Sequence, residues 1–193
     1  MRLILSALLC LVVLQDFAQK SPIKFGKISA DDFKQQVYSI DSNANAVVIG
    51  DIGHTEMVGN NKGGFSLEFE RHKRVRILNK NGYDIADVVI DLYTNGTAEE
   101  ELQSLKAVTY NLENGKVVET KLDTKAGVFK DKISKNLVSK KFTLPNIKEG
   151  CIIEFEYTIH SDFIFNLQPW HFQVEENHVG KRKLVTIGKS IRS

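Results

Sequence analysis

The chain is short of cysteine, proline and tryptophan, with two, three and one among 193 residues. So little proline, beside 13 glycines, excludes a collagen-like or proline-rich extended chain. The longest apolar run, residues 3–14, falls short of the roughly 20 residues that a membrane-crossing helix needs. Charge of one sign is also lacking: 26 Lys and Arg face 24 Asp and Glu, for a net of +2. That balance gives no footing to nucleic-acid binding as the default reading. What is present is a 42% hydrophobic, 26% charged chain with 11 Phe and 5 Tyr. It is too apolar for wholesale disorder. A chain of this length buries about two thirds of the surface its unfolded form exposes, so it needs neither disulfide nor metal to fold.

Residues 1–18 differ from the rest. Arg2 precedes the apolar run, and the stretch ends at Ala18 before Gln19 and Lys20. This is the layout of a secretory signal peptide, although Asp16 stands where a small residue is expected before the cut. The expected location is therefore outside the cytoplasm, in the periplasm or cell envelope, with no membrane-spanning segment in the mature chain. Cleavage after Ala18 leaves Cys151 as the one thiol, so no internal disulfide can form.

Residues 19–44 form a polar leader. Within it Ser29 and Asp32 have the spacing of a capping box, and Phe33, Val37 and Ile40 recur at helical spacing. The pattern predicts a short helix over 30–38, lying on something apolar.

From 45 to 173 the period is two. Residues 46–49 read as a strand ending at Gly50, and 51–58 as a second extended piece. Phe65, Leu67, Phe69, Val75 and Ile77 share one parity, with Ser66, Glu68, Glu70, His72, Arg74 and Arg76 on the other. Arg71 and Lys73 interrupt the apolar face, which suggests a bend, a bulge or a passage over the edge of the core in a strand of about 14 residues. The turn at 79–82 predicts a hairpin to a return strand over 83–93. Glutamates with Leu102 and Leu105 predict one or two helical turns over 98–106. Alternation at Val108, Tyr110 and Leu112, then Asn114-Gly115, then Val118, Thr120 and Leu122, predicts a hairpin. Residues 123–140 read as a lysine-rich loop with a short helix, and 141–144 as a strand. Cys151, Ile153, Phe155, Tyr157 and Ile159 alternate with polar residues; Ile152 is the one apolar residue on the wetter face. Several strands joined by polar turns, without intervening helices, predict a mainly β fold. The expected form is an antiparallel β-sandwich-like domain with one or two short helices.

The tail breaks the composition. Residues 178–193 hold five basic residues and no acid, against a net negative charge over 19–177. Residues 174–193 are thus a basic tail: a basic arm for a phosphate-bearing surface, a flexible terminus, or a truncated or frame-shifted end.

Catalytic signatures are scarce. Cys151 opens an alternating apolar strand and reads as a small buried hydrophobe rather than a nucleophile. The five histidines form no close pair, and neither an HExxH nor a CxxC is present, so no metal site and no cofactor are expected. Asp51, His54 and Glu56 could supply a carboxylate pair, but at strand spacing only alternate residues share a face. Arg74 and Arg76 with His72 would face outward, either reading an anionic partner or pairing with Glu68, Glu70 and acids on neighbouring strands. Trp170 and Phe172, beside Phe163 and Phe165, form the richest aromatic cluster, for core packing or for contact with a following domain. Arg74, Arg76, Trp170 and Phe172 are therefore the weak binding candidates, and no residue is a catalytic candidate.

Four blocks in order resemble a family known as domain of unknown function number 3857. They are RHKRVRILNKNG at 71–82, AVTYNLENGKVVETKLD at 107–123, and FTLPNIKEG at 142–150 followed by Ile153, Glu154, Phe155 and Tyr157. The last is SDFIFNLQPW at 161–170 with Phe172 and Gln173. The resemblance runs from about 46 to 173; 174–193 departs from the family pattern. It implies an exported β-rich module of a kind found ahead of transglutaminase-like domains in Bacteroides-type bacteria. A downstream transglutaminase-like domain is then the implied partner, and the module itself is a noncatalytic support or binding element. A free-standing carbohydrate- or peptide-binding sandwich is the alternative, with a hydrolase behind it.

Overall fold

The computed structural model describes residues 23–34, 44–169 and, for the backbone alone, 184–186. Its strands are β1 (Ala46–Gly59), β2 (Phe65–Ile77), β3 (Asp87–Tyr93), β4 (Glu101–Glu113), β5 (Lys116–Lys121), β6 (Phe129–Lys132), β7 (Leu137–Thr143), β8 (Ile152–Ser161) and β9 (Leu184–Thr186). They form a six-stranded sheet in the order β5-β4-β8-β2-β1-β9 and a three-stranded sheet in the order β3-β7-β6. Every pairing is antiparallel except that of β9 with β1. The mainly β, sandwich-like architecture expected from the alternation is therefore present.

The core lies between the sheets. Val48, Phe69, Val75, Ile77, Ile153, Phe155 and Ile159 of the large sheet meet Ile90, Leu92 and Phe142 of the small one. Phe142 and Phe155 cross edge to face at 6.1 Å between centroids. Each such side chain contributes about 1.5–3 kcal/mol through burial.

Arg71 and Lys73 share the parity of this core, yet β2 neither bends nor bulges there. The irregularity lies in β1, where Ile49 is the extra residue between the pairs Val48↔Val75 and Gly50↔Arg74. One inserted residue exchanges the faces of everything after it. Asp51 consequently falls opposite Lys73 on the inner face. There it accepts from Arg71 Nε and Nη2 at 2.9 and 2.8 Å, with Lys73 Nζ at 3.5 Å. The apparent break at Gly50 is this bulge inside one continuous strand.

Three further expectations are corrected. Residues after Asn79 form not a hairpin but a 3-10 helix (Lys80–Ala86), capped by Asn79 Oδ1 accepting from the Asn81 N–H at 3.0 Å. This helix carries the chain into the small sheet, where β3 pairs with β7 rather than β2. Residues 98–106 are not helical: β4 begins at Glu101, with an extra residue between Leu102↔Ile159 and Ser104↔Thr158. That bulge puts Leu102 and Leu105, three apart, on the same inner face, which imitates helical spacing. Residues 123–140 hold β6 and the start of β7, paired as a hairpin. Every residue of β6 is exposed, so no alternation marks it in the sequence.

The β4–β5 hairpin is as expected. Asn114 (φ 50) and Gly115 (φ 77) take the left-handed region that a two-residue connection demands. In the leader, a 3-10 helix (Ala30–Phe33) forms at the expected place, with the Ser29 N–H and Oγ donating to Asp32 Oδ2. The helix ends at Phe33, with Lys34 extended, short of the expected residue 38; residues 35–38 lie outside the described residues.

Candidate functional site

The outer face of the large sheet was expected to be wet; part of it is covered. Residues 23–34 lie across β2, β8 and β4, and a charged centre forms beneath them. Register places Glu154 of β8 between Arg74 of β2 and Val108 of β4, all on this face. His72 stands two residues from Arg74 along β2, and Tyr110 two from Val108 along β4, so alternation aims both at the same carboxylate.

Glu154 is fully buried. Its Oε1 accepts from Arg74 Nε at 2.9 Å, Arg74 Nη2 at 2.6 Å and His72 Nε2 at 2.7 Å. Its Oε2 accepts from the Tyr110 hydroxyl at 3.0 Å and the Gly26 N–H at 2.9 Å. Burial alone would push this carboxyl up; the bonds from His72 and Gly26 and the charge of Arg74 outweigh it and hold it below its ordinary range. The Tyr110 phenol is pushed up, first by burial and then by the Glu154 charge.

The two arginines bind the covering segment by its main chain. Arg74 Nη2 donates to the Lys24 carbonyl at 2.8 Å. Arg76 donates to the carbonyls of Phe33 at 2.6 Å, Lys34 at 3.0 Å and Asp32 at 3.4 Å, at the C-terminal end of the 3-10 helix. Phe33 joins Val108, Tyr110 and Ile152 in an apolar cluster flanked by Phe25, Ile28 and Ile49. The bulge in β1 matters here too. It turns Gly50 outward, where a Cβ would come within 2.7 Å of Ile23 Cδ1.

Beside the covered part, the same strands form an open trough of about 290 Å³ lined by Glu70, His72, Ser104, Lys106, Glu156 and Thr158, among others. Lys106 Nζ pairs with Glu156 at 2.7 Å and lies 5.7 Å from the Phe25 ring centroid. Phe25 and His72 are also 5.7 Å apart between centroids, so Phe25 stands against two of the lining residues.

The sequence-derived candidates fall as follows. Arg74 and Arg76 do not face solvent: they are 5% and 7% exposed and are engaged by Glu154 and by residues 24–34 rather than by Glu68 or Glu70. His72, expected on an exposed face, is largely buried against Glu154. Trp170 and Phe172 lie outside the described residues. Of their neighbours, Phe163 packs edge-on against Tyr93 at 4.8 Å, and Phe165 is 97% exposed. Cys151 is buried and burial pushes its thiol up, away from the thiolate a nucleophile needs. Asp51 is separated from His54 and Glu56, because the inner face holds the first and the outer face the other two. Among the described residues, no group of three His, Cys, Asp or Glu side chains is placed to hold a metal ion. Nor is any helix there long and apolar enough to cross a membrane.

Glu154 and Tyr110 were missed, each read as one polar or alternating residue of its strand. Ile152 was the available signal. An apolar side chain on the wetter face, together with an aromatic leader lying on something apolar, marks a covered patch.

No curated protein matches the chain. One solved structure, described as that of "a putative protease from Parabacteroides distasonis", superposes with a TM-score of 0.43 at 12% identity. The superposition covers 61% of this chain and 23% of that one, so this chain spans less than a quarter of its length. A family model described as "Domain of Unknown Function with solved-structure structure (DUF3857)" matches residues 65–186. The match takes in β2 to β9 and reaches into the basic tail, while residues 23–34 and β1 precede it. More than half of the sequence is matched, and the chain belongs to the DUF3857 family.

Proposed function

We propose that this chain is a noncatalytic, exported β-domain that supports or mediates binding in a larger cell-envelope, transglutaminase-like protein. The observation that carries the reading is the use made of Glu154. A carboxylate, an imidazole, a guanidinium and a phenol converge there, as general acid–base chemistry would require. Instead the carboxylate and the guanidinium groups hold polypeptide in place, through Gly26 and through the carbonyls that Arg74 and Arg76 engage, while His72 and Tyr110 bond the carboxylate itself. The buried, pushed-up Cys151 supports the same reading against an acyl-transfer role. Export is supported by Arg2 and the apolar run that follows it.

The test is to assay the purified chain for amine incorporation into a glutamine-containing peptide and for peptide hydrolysis. No turnover above buffer is expected. Turnover abolished by Cys151→Ser or His72→Gln would overturn the reading. For export, the protein from an envelope fraction should begin at Gln19; full-length protein confined to the cytosol would contradict it.

A second reading, a free-standing peptide- or carbohydrate-binding sandwich, is favoured by the polar trough beside the covered face.

A further inference from the structure

We propose that the outer face of β2, β8 and β4 is a binding site for a folded peptide segment in trans, a turn followed by one 3-10 turn, and that residues 23–34 occupy that site in cis. The proposal rests on reading the domain as a binding module and names the site and the ligand class.

Four observations carry it. The hydrogen bonds from Glu154, Arg74 and Arg76 to residues 23–34 all go to main-chain atoms, the Gly26 N–H and the carbonyls of Lys24, Asp32, Phe33 and Lys34. Such contacts read peptide backbone rather than side chains, with one demand on sequence: Gly26 donates from the left-handed region (φ 75) that favours glycine. The groups that make them are charges buried in a rigid sheet, set by strand register before any peptide arrives. An apolar face would clamp a permanent segment at lower desolvation cost. Among the described residues, the covering segment leaves a trough open along Glu70, Ser104, Glu156 and Thr158. Finally, the charged groups His72, Arg74, Arg76, Tyr110 and Glu154 lie within the family match at 65–186, whereas residues 23–34 precede it together with β1, whose Ile49 and Gly50 meet them.

The ligand this geometry accepts is a segment with a turn ahead of a 3-10 turn, as at residues 24–27 and 30–33, and an aromatic side chain for the socket of Val108, Tyr110 and Ile152, where Phe33 now sits. It also needs a free N–H facing Glu154 and a turn of exposed carbonyls facing Arg76. A second aromatic would stack on His72 and Lys106, as Phe25 does.

The experiment uses the full mature chain with Phe25→Ala and Phe33→Ala, which loosen the cis segment without touching the sheet. The probe is a fluorescein-labelled synthetic peptide of residues 23–34, followed by anisotropy. Saturable binding is expected, at least tenfold tighter than to the unsubstituted chain and abolished by adding Arg76→Ala, with far-ultraviolet circular dichroism unchanged. A folded variant that fails to bind the peptide would overturn the site while leaving the noncatalytic reading intact. Loss of strand signal in the double variant would also overturn it, because residues 23–34 would then be a structural layer. Dimers in light scattering, with no uptake of added peptide, would assign the site to a second copy and overturn the external ligand. Cleavage or cross-linking of the bound peptide, seen by mass spectrometry, would overturn the noncatalytic reading and leave the site standing.

Discussion

At Glu154 three strands and the leader meet through one carboxylate, and its removal is correspondingly costly. Glu154→Gln keeps the shape but leaves Arg74 buried without its countercharge, which costs about 3–5 kcal/mol for a pair of this kind. Urea unfolding should show the midpoint falling with an unchanged slope. Because the folded pKa lies below the ordinary 4.5, the carboxylate stabilises the fold above that pH. The contribution is lost as pH falls from there through the folded value. The wild type should therefore lose stability below about pH 4.5, and the Gln variant should lose less over the same interval. At Cys151 the expectation is inertness: the folded mature chain should leave Ellman's reagent uncoloured and react at one thiol in guanidinium. Reaction in the folded state would place the thiol at the surface. Little of this chemistry was legible beforehand. Arg74, Arg76 and His72 were recognised as a group, but a charge on a strand's polar parity looks identical whether water or polypeptide covers it.

At the scale of the element, two bulges decide where the sequence could be read. A strict period of two survives in β2 and β8, and both stand where the alternation put them. In β4 the extra residue between Leu102 and Ser104 converts strand into apparent helical spacing. In β1 the extra residue at Ile49 made one strand look like two. β6 has no buried face, so its sequence carried no pattern at all. The turn residues mark a chain reversal at Asn114-Gly115 but not at 79–82, which open a 3-10 helix into the other sheet. Gly115 at φ 77 permits the β4–β5 connection, so Gly115→Ala should cost about 1–2 kcal/mol, checked by thermal melting. Gly82→Ala should cost more than Gly50→Ala. Its Cβ would stand 2.6 Å from the fixed Asn45 carbonyl oxygen, whereas at Gly50 the obstacle is the mobile end of the Ile23 side chain. An equal effect at the two positions would contradict the packing described for them.

For the whole molecule, the consequence is a sandwich with a third, partial layer. The small sheet covers one face of the large one, and residues 23–34 cover part of the other. This explains why β4 is buried on both sides from Ala107 to Tyr110, although β4 takes part in only one sheet-to-sheet interface. The sandwich follows from alternation and polar turns alone. The third layer needs the register that sets Arg74, Glu154 and Tyr110 side by side, and no single strand reveals that.

The most direct test of this arrangement is amide hydrogen exchange at Gly26, whose N–H donates to Glu154 Oε2. Slow exchange is predicted in the wild-type chain. In Glu154→Gln it should become fast at Gly26 while β8 amides stay protected. Fast exchange at Gly26 in the wild type would contradict the covered face, and with it the account of what Glu154 does.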